Sequence, residues 1–90
     1  MNVTISVLGP EITLKQNLTL KSDSPTLKDV ARILLELDRI KWTPILKDDL
    51  PPMQRYTVLV NGRNIQSLEG FETKIREGDE IVFTLLIMGG

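Results

Sequence analysis

The last two residues of the sequence, Gly89 and Gly90, have the type and position to do chemistry. Glycine has no β-carbon, so an enzyme could close around this end in a narrow tunnel and reach the Gly90 carboxylate without steric obstruction. At ~3.3 Å per extended residue, the stretch from Leu86 to Gly90 would reach about 16 Å, enough to enter another protein's active site. A carboxylate is a poor electrophile, so we expect activation as an acyl-adenylate made from ATP. The alternatives are a frayed end or a natural chain that continues beyond residue 90.

The rest of the composition indicates that this chemistry depends on a partner. The sequence has neither cysteine nor histidine, which we take to exclude zinc sites, cysteine nucleophiles, Ser-His triads and imidazole acid-base catalysis. It has no phosphate-binding loop, so the partner would bind the ATP. Asp48 and Asp49 are adjacent but lack further ligands, and we interpret them as solvated loop charges. We expect no metal, no cofactor bound by this chain and no catalysis by the chain alone.

The charge balance and the apolar runs argue against nucleic acid or membrane as a partner and against a secreted protein. Eleven basic and twelve acidic residues give a net charge of −1, too small a field to favour nucleic acid or an anionic membrane. The longest apolar runs, at 33–35 and 85–88, fall far short of the ~20 residues that span a bilayer. No basic segment followed by an apolar stretch marks a signal peptide. We therefore expect a soluble, cytoplasmic protein.

Two alternating segments predict an N-terminal hairpin. Apolar residues occupy every second position from Val3 to Val7, a turn follows at 9–11, and the even positions from 12 to 20 continue the alternation. Gln16 interrupts the apolar phase of the second strand, so we expect a bend or bulge near Gln16 and Asn17.

The period then changes to that of a helix that begins at residues 24–26. Thr26 with Asp29 resembles a capping box, and Ser24 with Pro25 is the competing start. The apolar stripe consists of Leu27, Val30, Ala31, Ile33, Leu34 and Leu37. The opposite face carries Lys28, Arg32, Glu36 and Arg39, which we interpret as solvated.

A long loop and two further strands complete the expected order. Periodicity fails between residues 39 and 55, where three prolines prevent a continuous helix or central strand. Trp42 in this loop is expected to cap the edge of the core, with partner contact as the lesser alternative. A third strand over 56–60 ends at an Asn-Gly turn, Ile65 and Leu68 pin the next loop to the core, and the last strand starts at Glu80.

This order predicts one α+β domain over residues 1–90, with a ββαββ mixed sheet, one helix on one face and a flexible Gly-Gly tail. The face under the helix is expected to hold Val3, Ile5, Val7, Tyr56, Val58, Val60, Ile81, Phe83 and Leu85, packed on Leu27, Val30, Ile33, Leu34 and Leu37. The other face should be open to water.

Four aliphatic residues fall on the open face and form a candidate docking patch: Leu8, Leu59, Val82 and Leu86. Scattered surface aliphatics are normal. However, Val82 and Leu86 lie on the strand that leads into the tail, so a partner that grips the tail must pass over them. We therefore expect Leu59, Val82 and Leu86 to form a docking surface.

Four short motifs accompany the ββαββ order: Thr26-Leu27-Lys28-Asp29, Val60-Asn61-Gly62, Glu77-Gly78-Asp79-Glu80-Ile81 and the terminal Gly89-Gly90. Together they resemble the ubiquitin-like β-grasp sulfur carriers, which include MoaD, ThiS and the small archaeal modifiers. The resemblance covers essentially the whole chain and is strongest at 56–62 and 77–90.

The resemblance implies a reaction and its partners. An E1-like adenylyltransferase would adenylate Gly90, and the product would become a thiocarboxylate, with Met88 and Gly89 as the inserted tail. The sulfur would pass to a pterin precursor on the molybdopterin synthase large subunit, or to another sulfur acceptor. Alternatively, the tail would form an isopeptide bond with target-protein lysines. A plain β-grasp interaction domain remains a third interpretation.

Overall fold

The computed structural model describes residues 1–8, 13–43 and 56–85. Its strands are β1 (Asn2–Leu8), β2 (Thr13–Thr19), β3 (Tyr56–Val60), β4 (Arg63–Asn64) and β5 (Glu80–Leu85), and its α-helices are α1 (Leu27–Leu37) and α2 (Arg39–Trp42). Two 3₁₀ turns, Ile65–Ser67 and Gly70–Glu72, lie between β4 and β5.

The five strands form one mixed sheet in the order β2-β1-β5-β3-β4. β1 and β5 are parallel, and the other neighbouring pairs are antiparallel. The mixed sheet with one main helix confirms the predicted α+β class. The fifth strand, β4, was not predicted because two residues are too short to show alternation. It forms because Asn61 and Gly62 adopt positive φ angles of 52° and 84°, which turn Arg63 back beside Val60.

Helix α1 begins where the Thr26 motif predicts. Asp29 accepts hydrogen bonds from the Thr26 backbone N–H at 2.9 Å and from its hydroxyl at 3.3 Å, so the chain uses this start rather than Ser24-Pro25. The helix buries Leu27, Val30 and Leu34 against the sheet. The positions expected to be solvated, Lys28, Arg32, Glu36 and Arg39, are exposed.

Three residues of the predicted helix stripe are not in the buried core. Ala31 and Ile33 are half-buried, and Leu37 is 61% exposed. α1 ends at Leu37, and Asp38 starts the short helix α2, with its carboxylate accepting the Lys41 N–H at 3.1 Å. The prediction that the loop starts at residue 39 is therefore wrong, and residues 44–55 lie outside the described ranges.

Helix α2 brings Trp42 into the core. The side chain is 1% exposed and meets the Phe83 ring edge-on, with centroids 5.7 Å apart. Trp42 is thus a core residue rather than a cap at the core edge, and its side chain is too buried for the partner contact that we considered as the alternative.

Strand β2 pairs with β1 without interruption. Its pairing with β1 is continuous from Thr19 opposite Asn2 to Thr13 opposite Leu8, so the bulge expected at Gln16 and Asn17 is absent from this described strand. Gln16 keeps its place in the alternation, on the inner face of the sheet, and is half-buried. A polar side chain is tolerated there because β2 is the outermost strand of the sheet, where an inward side chain can reach water.

The inner face of the sheet buries seven of the nine residues that alternation predicts, namely Val3, Ile5, Val7, Val58, Val60, Ile81 and Phe83. The side chains of the other two, Tyr56 and Leu85, lie outside the described part of the structure. The buried apolar set is Val3, Ile5, Val7, Leu18, Leu20, Leu27, Val30, Leu34, Trp42, Val58, Val60, Ile65, Ile75, Ile81 and Phe83, with Leu68 packed against it. The predicted anchoring of the loop by Ile65 and Leu68 is therefore confirmed. Among the helices of the described ranges, none is long and apolar enough to cross a membrane.

Candidate functional site

The open face of the sheet brings Leu59 and Val82 side by side. They are opposite each other in the β3–β5 pairing, and both are partly exposed. Ser6 of β1 is the next residue in this row beyond Val82, followed by Lys15 of β2. Ser6 is 7% exposed, since a small side chain in a central strand lies below its larger neighbours. The row therefore presents two adjoining aliphatic side chains, Leu59 and Val82, with the charged side chain of Lys15 at its far end.

A second row lies closer to the tail and contains Leu8. Leu8 of β1 is opposite Thr84 of β5, and Thr84 is opposite Thr57 of β3. Leu8 is 49% exposed and is the most exposed large apolar residue of this face among those described. The three-residue docking prediction omitted Leu8 although alternation had placed it on this face. We call Leu8, Leu59 and Val82 the open-face cluster.

Strand β5, which precedes the tail, is held on both sides. It lies between β1 and β3, with Thr84 opposite Leu8 and Leu85 opposite Tyr56. The last residue before the 86–90 segment therefore belongs to a central strand. This fixes the position of Leu85, the residue before the tail, relative to the open-face cluster.

The start of β5 is fixed by hydrogen bonds with the Asn61 turn. The Asn61 backbone N–H donates to the Glu80 carbonyl at 2.8 Å, and the Glu80 N–H donates to the Asn61 side-chain oxygen at 2.9 Å. The Asn61 amide N–H donates to the Asp79 carboxylate at 2.8 Å, and that carboxylate also accepts the Arg76 N–H. Both ends of β5 are therefore constrained.

The structure unites only part of the predicted site. Leu59 and Val82 are neighbours, as alternation predicted. Leu86, Met88, Gly89 and Gly90 lie outside the described residues, so their roles and the predicted flexibility of the tail stay predictions. Within residues 1–8, 13–43 and 56–85, no group of three or more acidic side chains is placed to hold a metal ion.

The sheet and its main helix identify the class of fold to which this protein belongs. A mixed sheet with one main helix on one face is the ubiquitin-like β-grasp fold, shared by small archaeal modifier protein 1 of Methanosarcina acetivorans with a TM-score of 0.71. That match covers 99% of this chain and 96% of the other at 23% identity.

The sequence profile of the ThiS family matches residues 5–90. The chain therefore belongs to the ThiS family of ubiquitin-like sulfur carriers, as its motifs suggested. A proposed sulfur carrier protein of Archaeoglobus fulgidus is 28% identical over 88 residues, which cover 98% of this chain and 100% of the relative.

A further solved structure of this fold contains two different proteins. It is the complex of subunits 1 and 2 of the molybdopterin-converting factor from Helicobacter pylori. The match has a TM-score of 0.64 and 17% identity and covers 100% of both chains. At this identity the similarity supports the shared fold.

Proposed function

We propose that this protein carries sulfur as a thiocarboxylate on Gly90. Membership of the ThiS family, through a match that extends to residue 90, is the observation that carries the proposal. The central position of β5 supports it, because the strand that leads into the tail is paired with a neighbour on each side. The Gly89-Gly90 end has no side chains that would obstruct a narrow active-site tunnel.

The proposed reaction begins on an E1-like enzyme that binds ATP. A Gly90 carboxylate oxygen attacks the α-phosphorus of ATP and releases pyrophosphate, which leaves an acyl-adenylate. A sulfide-equivalent nucleophile supplied by a partner then attacks the carbonyl carbon and displaces AMP. Because this reaction consumes ATP, we place it in the cytoplasm.

The sulfur acceptor in this proposal is a protein like the molybdopterin synthase large subunit. The two-subunit molybdopterin-converting factor from Helicobacter pylori, whose fold similarity was described above, motivates this choice. The open-face cluster would bind the acceptor or the activating enzyme, with Leu86 extending the same surface toward the tail. Leu8, at the tail end of the face, belongs to the four-residue patch that the sequence predicted and adds exposed apolar area to the three-residue docking set.

A second candidate function is conjugation to lysines of target proteins. The similarity to small archaeal modifier protein 1 motivates it, since that protein is named a modifier. Both candidates share adenylation of Gly90 and differ in the nucleophile that follows, either a sulfur species or a lysine amine.

Intact mass spectrometry of the protein recovered from its source cells separates these functions. Replacement of one oxygen by sulfur at the C-terminus supports sulfur carriage, and higher-mass isopeptide adducts support conjugation. An ATP–pyrophosphate exchange assay with the E1-like enzyme tests the shared first step. No exchange above that of a variant lacking Gly89 and Gly90 would refute both functions and leave the plain interaction domain.

A further inference from the structure

The outer edge of β2 carries backbone groups that face away from the sheet. Leu20 and Met1 exchange two hydrogen bonds, of 2.7 and 3.1 Å. Because hydrogen-bonded pairs alternate along an antiparallel ladder, the backbones of residues 14, 16 and 18 also face β1. Those of residues 13, 15, 17 and 19 therefore point outward, and within the described ranges no strand pairs with them.

This edge has few of the usual devices that prevent pairing with another strand. Sheet edges are commonly blunted by charged side chains, above all lysine, and by bulges, prolines, very short strands or inward-pointing charges, and of these β2 has only Lys15. β2 has seven residues in continuous register with β1, and its sequence contains no proline or glycine. Its one charged side chain, Lys15, lies on the open face. The opposite edge strand, β4, has only two residues.

The sequence of β2 is nearly the same in both directions. It reads Thr-Leu-Lys-Gln-Asn-Leu-Thr, so reversal about Gln16 exchanges threonine with threonine and leucine with leucine. The single mismatch exchanges Lys15 with Asn17. A two-fold axis at Gln16 would therefore place each residue opposite a compatible one, and it would not place two lysines directly opposite each other.

We propose that two copies of this chain associate through an antiparallel β2–β2 pair centred on Gln16, joining two five-stranded sheets into one. Lys15 would pair with Asn17 of the second copy, and Thr13 with Thr19. These are the residues whose backbone groups point outward, so each pair would exchange two hydrogen bonds. Leu14 and Leu18 would meet across the interface on the inner side of the sheet.

This association is compatible with the candidate functional site and independent of the proposed function. Opposed side chains in a strand pair point to the same side of the sheet, so the open faces of both copies would lie on one side of the joined sheet. β5 is separated from the β2 edge by β1, which keeps the strand before the tail away from the interface.

Two substitutions at Asn17 with opposite charge test this interface. Asn17→Lys would place two lysine pairs across the axis and raise the dimer dissociation constant about tenfold, whereas Asn17→Asp would place two Lys-Asp pairs there and lower it about threefold or more. The net charge changes from −1 to 0 in the first variant and from −1 to −2 in the second. Non-specific repulsion between copies would therefore give the opposite order of affinities.

Sedimentation velocity over a broad range of protein concentrations measures the association, and thermal melts check that each variant is folded. Hydrogen exchange of the wild-type protein provides a second readout without any substitution. The amides of Thr13, Lys15, Asn17 and Thr19 should gain protection as concentration rises, while those of Leu14 and Leu18 should be protected at every concentration. A wild-type protein that stays monomeric, equal shifts in both variants, or association without new protection of the outward amides would each overturn the proposal.

Discussion

The indole of Trp42 packs against the ring of Phe83 at 61°, with centroids 5.7 Å apart. Phe83 lies in the central strand β5, only three residues before Leu86. The contact therefore joins the short helix α2 to the strand that leads into the tail. Both side chains are essentially inaccessible to water, so the contact between the two rings stabilises the fold. Partner recognition then depends on the exposed residues of the open face.

Replacing Phe83 with alanine should destabilise the fold strongly. The substitution removes the ring that Trp42 contacts and leaves a cavity between α2 and β5, a loss of about 3–5 kcal/mol. Ile33→Ala should cost less, because Ile33 is only half-buried. Urea denaturation measures both changes. Leu37→Ala is the control, with an expected effect within about 0.5 kcal/mol, and an equally large loss there would contradict this description of the core.

Substitution in the tail should abolish activation without changing stability. Gly89→Val adds a branched side chain where a narrow tunnel must close, so pyrophosphate exchange with the E1-like enzyme should fall to background. The melting temperature should stay close to that of the wild type, because residue 89 follows the last core strand. Exchange that persists in this variant, or after deletion of both glycines, would remove Gly90 as the reactive group.

Acidic substitutions in the open-face cluster should weaken partner binding. Leu8→Asp and Leu59→Asp introduce a charge that must be desolvated on docking, and each should reduce affinity at least tenfold, about 1.4 kcal/mol. Calorimetric titration with the activating enzyme or the sulfur acceptor measures the loss. Leu37→Asp is the matched control, because Leu37 is exposed on the helical side of the domain. Normal binding by folded Leu8 and Leu59 variants would place the docking surface elsewhere.

The capping carboxylate of Asp29 should make stability depend on pH in the acid range. The Thr26 backbone N–H is the main cause that holds the pKa of Asp29 below its ordinary value of 3.8, with smaller contributions from the Thr26 hydroxyl and from Arg32 and Lys28. A lowered pKa in the folded state means that the stabilisation is fully present above 3.8 and is lost as pH falls through the folded value.

Thermal melts of the wild type and of Asp29→Asn measure this contribution. The wild type should melt at a higher temperature near neutral pH, and the difference should shrink in strong acid as Asp29 becomes protonated. A difference that stays constant across the acid range would show that the carboxylate charge does not stabilise the helix start.

Local patterns in the sequence were sufficient for several features of the fold. Alternation assigned the two faces of β1, β3 and β5, since each side chain along a strand points opposite to the last. Thr26 and Asp29 predicted the helix start because their hydrogen bonds span only three residues. The Asn61-Gly62 pair predicted the turn because few other residues adopt positive φ angles.

The remaining features depend on contacts between residues far apart in the chain. The position of β5 between β1 and β3, the two-residue strand β4 and the uninterrupted pairing of β2 depend on contacts that no local pattern contains. Trp42 is buried, and Leu37 exposed, because the chain turns at Asp38 and returns the indole to Phe83, 41 residues further along the sequence. The sequence by itself thus determined which side chains alternate between the two faces of each strand. Only the tertiary structure decided which strands are neighbours and which apolar residues the core accommodates. The reason is that close packing depends on the whole set of surrounding side chains.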